Sequence, residues 1–172
     1  VAPGAYSEAA AVAAGCKLPR RPYHTVLTSS SGLYQAWQSK IAYHHYKLQK
    51  ARDPCGEMGG FTRLLTSPSG KWQSDDADMP TVVVSEVRGG YPVVNRPHSM
   101  LQFVGNDELF RKTVKEEYVY IAETDHILLR PLPNLATQTT PAAFHFGYMV
   151  ADGQVRLPTA RDPSARDLAR GD

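Results

Sequence analysis

The stretch Glu116-Glu-Tyr-Val-Tyr-Ile-Ala-Glu-Thr-Asp-His-Ile-Leu-Leu-Arg-Pro131 constrains this chain most. It opens with charge, turns apolar, and ends on two acids, Glu123 and Asp125. Tyr118 to Ala122 reads as a short strand buried on both faces, as in a parallel sheet covered by helices. Acids directly after such a strand stand outside its carboxyl end, where open α/β sheets bind ligands. Their i, i+2 spacing in extended chain puts both carboxylates on one side. Such a pair can hold a hard divalent cation through oxygen ligands. Surface acids show the same spacing without an ion, so the flanking pattern has to decide. His126 adds either a third ligand or a hydrogen-bonding partner that orients the acids; in extended chain it points away from Asp125.

The remaining pattern supports an α/β reading. Strands are predicted over Tyr23–Thr28, Phe61–Thr66 and Thr81–Ser85, where β-branched and apolar residues dominate. Between the first two, Leu33, Trp37, Ile41 and Leu48 make one apolar stripe on a helix of about 18 residues, Leu33 to Lys50. Tyr34 and Trp37 read as core. Ser29-Ser-Ser-Gly32, between strand and helix, suits close approach of a ligand or backbone. A second helix is expected from Pro97 to near Gly105, and a short helix or turn over Asp107–Lys115. The order strand, helix, strand, strand, helix, strand predicts a sandwich with a mainly parallel sheet. Residues 1–22 read as a flexible lead-in, residues 23–151 as the folded domain, and residues 152–172 as a disordered tail of alternating Arg, Asp and small residues. Ala142 to Val150 reads as one further strand. A domain that ends so soon after its candidate site looks incomplete at its C-terminal end.

Composition narrows the function classes. The chain has 172 residues, 42% hydrophobic and 21% charged, which fits a globular domain. A formal charge of +2 is too weak a footprint for nucleic acid. No apolar run approaches the roughly 20 residues of a membrane span. Cys16 and Cys55 lack metal-site spacing and are either a disulfide or two free thiols. None of the asparagines sits in a glycosylation sequon. His44 and His45 diverge by about 100° on a helix and cannot share one metal. Arg63, in an otherwise apolar strand, could neutralise a diphosphate or pair with a structural acid. Asn95-Arg96 at a helix start is either an anion site or a capping asparagine beside a surface arginine. No Walker loop, GxGxxG or Ser-His-Asp order occurs.

Several separated segments then resemble one family. They are His24-Thr-Val-Leu-Thr28, Tyr34-Gln-Ala-Trp-Gln38, Gly59-Gly-Phe-Thr-Arg-Leu-Leu65, Val94-Asn-Arg-Pro97, Glu117-Tyr-Val-Tyr-Ile-Ala-Glu-Thr-Asp-His-Ile127 and Arg130-Pro-Leu-Pro-Asn-Leu135. In this order, over roughly residues 23–150, they look like the hydroxyproline O-arabinosyltransferases of plants and green algae. The related peptidyl serine α-galactosyltransferases share the plan with a different acid motif. The resemblance implies a GT-A, Rossmann-like nucleotide-sugar-binding fold, with Glu123 and Asp125 as Mn²⁺ (or Mg²⁺) ligands and His126 completing the motif. It implies donor contacts from Thr28, Arg63, Asn95, Arg96 and Glu123, and it names no nucleophile. It further implies a UDP-β-L-arabinofuranose donor, transfer to hydroxyproline of secreted glycoproteins with retention, and a Golgi type II protein whose anchor lies before Val1. Family members continue well beyond this length, so the other wall of the cleft would lie in a second half. The alternative of a different class is a non-catalytic nucleotide-sugar or carbohydrate-binding protein on the same fold.

Overall fold

A computed structural model describes residues 7–69, 78–87, 89 and 91–144. It divides into two units, residues 1–134 and 135–172. The first unit is a four-stranded, wholly parallel sheet flanked by helices, an α/β arrangement of Rossmann-like type. In the second, a turn is closed by Thr137 N–H donating to Thr140 O at 2.9 Å. The predicted strand over residues 142–150 and the tail lie largely or wholly outside the described residues.

The strands are β1 (Tyr23–Ser30), β2 (Met58–Ser67), β3 (Thr81–Ser85) and β4 (Tyr118–Glu123), in the spatial order β3-β2-β1-β4. The helices are α1 (Glu8–Ala13), α2 (Leu33–Ala51), α3 (Asn95–Gly105) and α4 (Asp107–Thr113). Parallel strands cannot be joined by hairpins, so each step needs a crossover. The chain leaves β1 through α2 and moves out to β2 and β3. It then returns through α3 and α4 to β4, on the far side of β1. The two crossovers pack on opposite faces. On one, Tyr23, Leu27, Phe61 and Ala122 meet Ala42 and Tyr46 of α2. On the other, Val26, Leu64 and Val84 meet Phe103 of α3, with Leu109 and Phe110 of α4 against them. Phe103 is fully buried and packs edge-on to Phe110.

Burial corrects two readings of the sequence. β1 is buried along its length up to Ser29, as a central parallel strand should be. β4 is not: Val119 is 36% and Ile121 53% exposed. It is an edge strand. Its register pairs Ile121 with Val26, so both face the α3 side, but α3 and α4 cover only β1 to β3. Its other face is covered by Leu128 and Leu132 of the segment that follows it. The apolar stripe of α2 also points the wrong way. Leu33, Tyr34, Trp37, Ile41 and Leu48 are exposed, whereas Ser39, Ala42, Tyr46 and Gln49 are buried. The aromatic side wins the sheet because Tyr43 and Tyr46 pack their rings on Phe61, at 4.7 and 4.9 Å. Tyr46 also donates its hydroxyl to Gly59 O at 2.6 Å, so its polar tip is satisfied while its ring is buried.

The lead-in, expected to be flexible, carries α1, capped by Ser7, and a disulfide from Cys16 to Cys55. That bond ties α1 to the α2–β2 loop across 39 residues. A closed loop of this size removes roughly 4 kcal/mol of denatured-state freedom in a chain-entropy treatment. After β4, the chain runs back to the amino ends of the strands. There Tyr23 donates its hydroxyl to Leu132 O at 2.9 Å, and Asn134 N–H donates to Glu57 Oε2 at 2.8 Å. Pro131-Leu-Pro-Asn134 thus turns away from the carboxyl ends, as expected.

A buried polar lock sets the register at the same end. Glu116 Oε2 lies 3.0 Å from His24 Nδ1, and His24 Nε2 lies 2.9 Å from Thr62 Oγ1. Glu116 also accepts from the backbone N–H groups of Gly60 and Lys115. The two glycines are required here by space: a Cβ on Gly59 would meet Glu116 and lie 2.7 Å from Tyr23 O, and one on Gly60 would meet the His24 ring. Burial works against the Glu116 charge, yet the His24 and backbone hydrogen bonds prevail and hold its carboxyl below the ordinary 4.5. A carboxyl whose folded pKa is depressed stabilises the fold above its unfolded pKa and loses that contribution as pH falls through the lower folded value. Acid unfolding followed by circular dichroism should therefore show a stability loss beginning below about pH 4.5. Glu116→Gln should flatten that part of the profile and lower stability at neutral pH by about 1–3 kcal/mol. An unchanged acid limb in the variant would remove Glu116 from this role.

Candidate metal and anion site

The carboxyl ends of β1, β2 and β4 open on a cleft on the α3 side of the sheet. Thr28, Ser29, Ser30, Gln35, Thr66, Pro92, Asn95, Arg96, Ser99 and Thr124 line it. It lies beside the point between β1 and β4 where the strand order reverses, although the segment after β4 packs on the same face as α2. Doubly wound sheets bind ligands at such a switch point.

Glu123 ends β4 in register with Thr28 of β1. Thr28 is buried and donates its hydroxyl to Ala122 O at 3.1 Å, which ties the two strand ends together. A turn follows, with His126 N–H donating to Glu123 O at 3.1 Å. The turn overturns the extended-chain geometry assumed for His126. It folds the imidazole back until ligand atoms of Glu123, Asp125 and His126 all lie within 4.8 Å of one another. His126 Nδ1 also accepts from Glu123 N–H at 3.3 Å, so the ring both braces the turn and joins the cluster. Thr124 is buried and donates to Gln38 Oε1 at 2.9 Å, pinning the turn to α2. Asp125 is exposed. Two carboxylates and an imidazole at this spacing could hold one divalent cation, and Mn²⁺ accepts such a mixed oxygen and nitrogen set. The Glu123 charge and, more strongly, burial push the Tyr120 hydroxyl upward in pKa, so it stays protonated beside His126.

The opposite wall is the start of α3, which continues from a 3-10 turn over Pro92–Val94 that already takes up the Asn95 N–H. Arg96 stands there and pairs with Glu123. Asn95 is 5% exposed and grips the preceding loop: its Oδ1 accepts from Val87 N–H at 2.8 Å and its Nδ2 donates to Val87 O at 3.4 Å. It lines the cleft while acting as the staple that sets the helix start.

The structure thus brings Thr28, Asn95, Arg96 and Glu123 together and leaves Arg63 out. Arg63 is 3% exposed, mid-strand in β2, with its Nε donating to Thr81 Oγ1 at 3.1 Å. It ties β2 to β3 and is not among the residues that line this cleft. Tyr34 and Trp37, read as core, form an exposed edge-to-face pair at 5.7 Å on the first turns of α2. Ser29 and Gln35 were not singled out by sequence. Ser29 Oγ is buried and makes no hydrogen bond among the described residues, but it alternates with Thr28, so its side chain faces the α2 side of the sheet. Thr25 Oγ1, on the same face, is likewise buried without a partner among the described residues. The Ser-Ser-Ser-Gly run after a buried strand was the only sequence signal for Ser29.

Comparison with known proteins decides the family. The family model of the hydroxyproline O-arabinosyltransferase N-terminal domain matches residues 23–160. The chain belongs to this family. It is 42% identical over 137 residues to hydroxyproline O-arabinosyltransferase RDN2 of Medicago truncatula, which covers 77% of this chain and 36% of that protein. Hydroxyproline O-arabinosyltransferase 3 of Arabidopsis thaliana is 42% identical over 135 residues, covering 76% of this chain and 36% of the relative. Hydroxyproline O-arabinosyltransferase PLENTY of Lotus japonicus is 40% identical over 132 residues, covering 74% and 34%. The chain therefore spans about a third of the length of these relatives. No solved structure matches it. Within the arabinosyltransferase family segment lie both the acid turn and the α3 amino end, so the cleft belongs to the matched region.

Asn95→Ala should cost about 1–3 kcal/mol in urea unfolding, because it orphans the Val87 backbone groups. Asp125→Ala, exposed and outside the packing, should stay within about 0.5 kcal/mol of the wild type. Equal losses in the two variants would contradict this division between scaffold and ligand-facing residue.

Proposed function

We propose that this chain is the donor-binding part of a metal-dependent glycosyltransferase of GT-A type. The donor is a UDP-sugar, UDP-β-L-arabinofuranose, and the acceptor is hydroxyproline in secreted glycoproteins. The observation that carries this reading is the convergence of Glu123, Asp125 and His126 at the switch point, opposite Arg96 and the α3 amino end. A hydroxyproline acceptor follows the names of the relatives; the diphosphate site follows the chemistry of the cleft.

In this reading Glu123, Asp125 and His126 hold Mn²⁺ or Mg²⁺ with the donor diphosphate. The cation would act as a Lewis acid on the departing diphosphate as charge develops there. Arg96, at the start of α3, adds electrostatic stabilisation in a geometry fixed before binding. Thr28 and Ser30, toward the end of β1, line the wall that faces the nucleotide. Glu123 and Asp125 act as ligands rather than as acid and base, and no residue is assigned as a nucleophile. Transfer with retention of configuration belongs to the same proposal. The Cys16–Cys55 disulfide supports an oxidising compartment, in keeping with the Golgi lumen. No described helix is long and apolar enough to cross a membrane.

Calorimetry with UDP, with and without Mn²⁺, tests the site. Wild-type chain should bind UDP at least roughly tenfold more tightly with Mn²⁺, a difference of about 1.4 kcal/mol. Asp125→Ala should abolish the difference. UDP binding that ignores Mn²⁺ and survives the substitution would sink the metal role. Arabinose transfer to a hydroxyproline peptide, measured under Mn²⁺, separates an enzyme from a nucleotide-sugar-binding protein.

A further inference from the structure

We propose that Arg96 is an exchangeable lock on Glu123 that makes cation binding and diphosphate binding in the cleft depend on each other. This rests on the reading of the cleft as a metal–diphosphate site and goes beyond it by assigning an energetic coupling to one side chain.

Arg96 Nη1 contacts Glu123 Oε1, one of the carboxylate oxygens of the acid turn. The two side chains are 40% and 30% exposed, so both partners remain open to a ligand entering from the cleft. The scaffold around them is fixed. Asn95 is clamped to Val87, Ser99 Oγ donates to Arg96 O at 2.8 Å, and Thr28 holds the Ala122 carbonyl beside Glu123. An exchange therefore needs only the Arg96 side chain to swing, while the α3 amino end stays in place.

Charge decides the consequence. A cation arriving alone meets the Arg96 guanidinium already seated on Glu123, so it gains less than two free carboxylates would give. A diphosphate arriving alone gains the guanidinium but meets the charge of Glu123, with Asp125 close behind it. When both arrive, Arg96 moves its hydrogen bonds to phosphate oxygens, for which its planar fork is suited. Glu123 is then released as a full-strength ligand. Each ligand removes the cost the other would meet, and by linkage the enhancement is the same in both directions. A brace that merely held Glu123 in position would behave oppositely, since its removal would weaken cation binding.

The test follows free Mn²⁺ by its electron paramagnetic resonance signal during titration into the 172-residue chain, with and without saturating UDP. Circular dichroism first establishes that each variant is folded. Wild type should bind Mn²⁺ weakly alone and roughly tenfold or more tightly with UDP. Arg96→Gln should bind Mn²⁺ alone several-fold more tightly than wild type, and the tightening by UDP should shrink. Arg96→Lys, which keeps the charge without the fork, should fall between them. Equal or weaker Mn²⁺ binding by Arg96→Gln in the absence of UDP, or an undiminished UDP effect, would overturn the lock while leaving the metal site intact. A wild-type chain that takes up no Mn²⁺ with or without UDP would bring down the metal reading and the lock together.

Discussion

The parallel pairing of β1 with β4 is the contact on which the rest of the structure depends. It closes the sheet on the far side of β1, where the strand order reverses and the crossovers through α2 and through α3 and α4 cover opposite faces. Its register sets Glu123 beside Thr28, and the returning crossover brings the amino end of α3 over the same edge. A shift of one residue would turn Glu123 to the α2 face and present Ala122 to the cleft, because side chains alternate along a strand. The register is held at both ends. Below, Glu116 joins His24 and Gly60 across three strands; above, the Thr28 hydroxyl reaches the Ala122 carbonyl. Gly59 and Gly60 serve the lower lock by leaving room for it.

The upper edge is polar where the lower edge is locked. Hydroxyls from Thr28, Ser30, Thr66 and Ser99 line the cleft with few apolar neighbours. At its edge Glu123, at the end of β4, pairs with Arg96 of α3. Asn95, Thr124 and Thr28 use their polar groups on the scaffold, whereas the Arg96 and Glu123 side chains stay partly exposed.

Most elements were legible in the sequence because they rest on local pattern. Four strands, the start of α2 after Gly32 and the α3–α4 region follow from apolar runs, glycines and prolines. Which side of an amphipathic pattern faces the sheet is not local. The α2 stripe of Leu33, Trp37, Ile41 and Leu48 has the right period, yet Tyr43 and Tyr46 fit Phe61 and satisfy their hydroxyls, so the stripe faces out. Arg63 looked like an anion ligand because a charge in an apolar strand is unusual. Its partner, Thr81, comes from a strand 18 residues away and is visible only after pairing.

The sequence by itself determined that an apolar strand ends on acids, because residue types are enough to place Glu123 at its end with Asp125 just beyond; the alternation that set both carboxylates on one side assumed extended chain, whereas Thr124 and Asp125 form a turn. It also carried the family, through motifs spread along the chain. Only the tertiary structure decided which groups meet. The turn at Thr124–Asp125 brings His126 to the acids, against the extended-chain expectation. The crossover from β3 to β4 sets Arg96 against Glu123 across 27 residues of sequence. The edge position of β4 leaves Val119 and Ile121 exposed, where an apolar run had suggested burial on both faces. Periodicity reports how a segment presents its side chains, while the position of a strand in the sheet and the partner across a cleft are set by long-range packing.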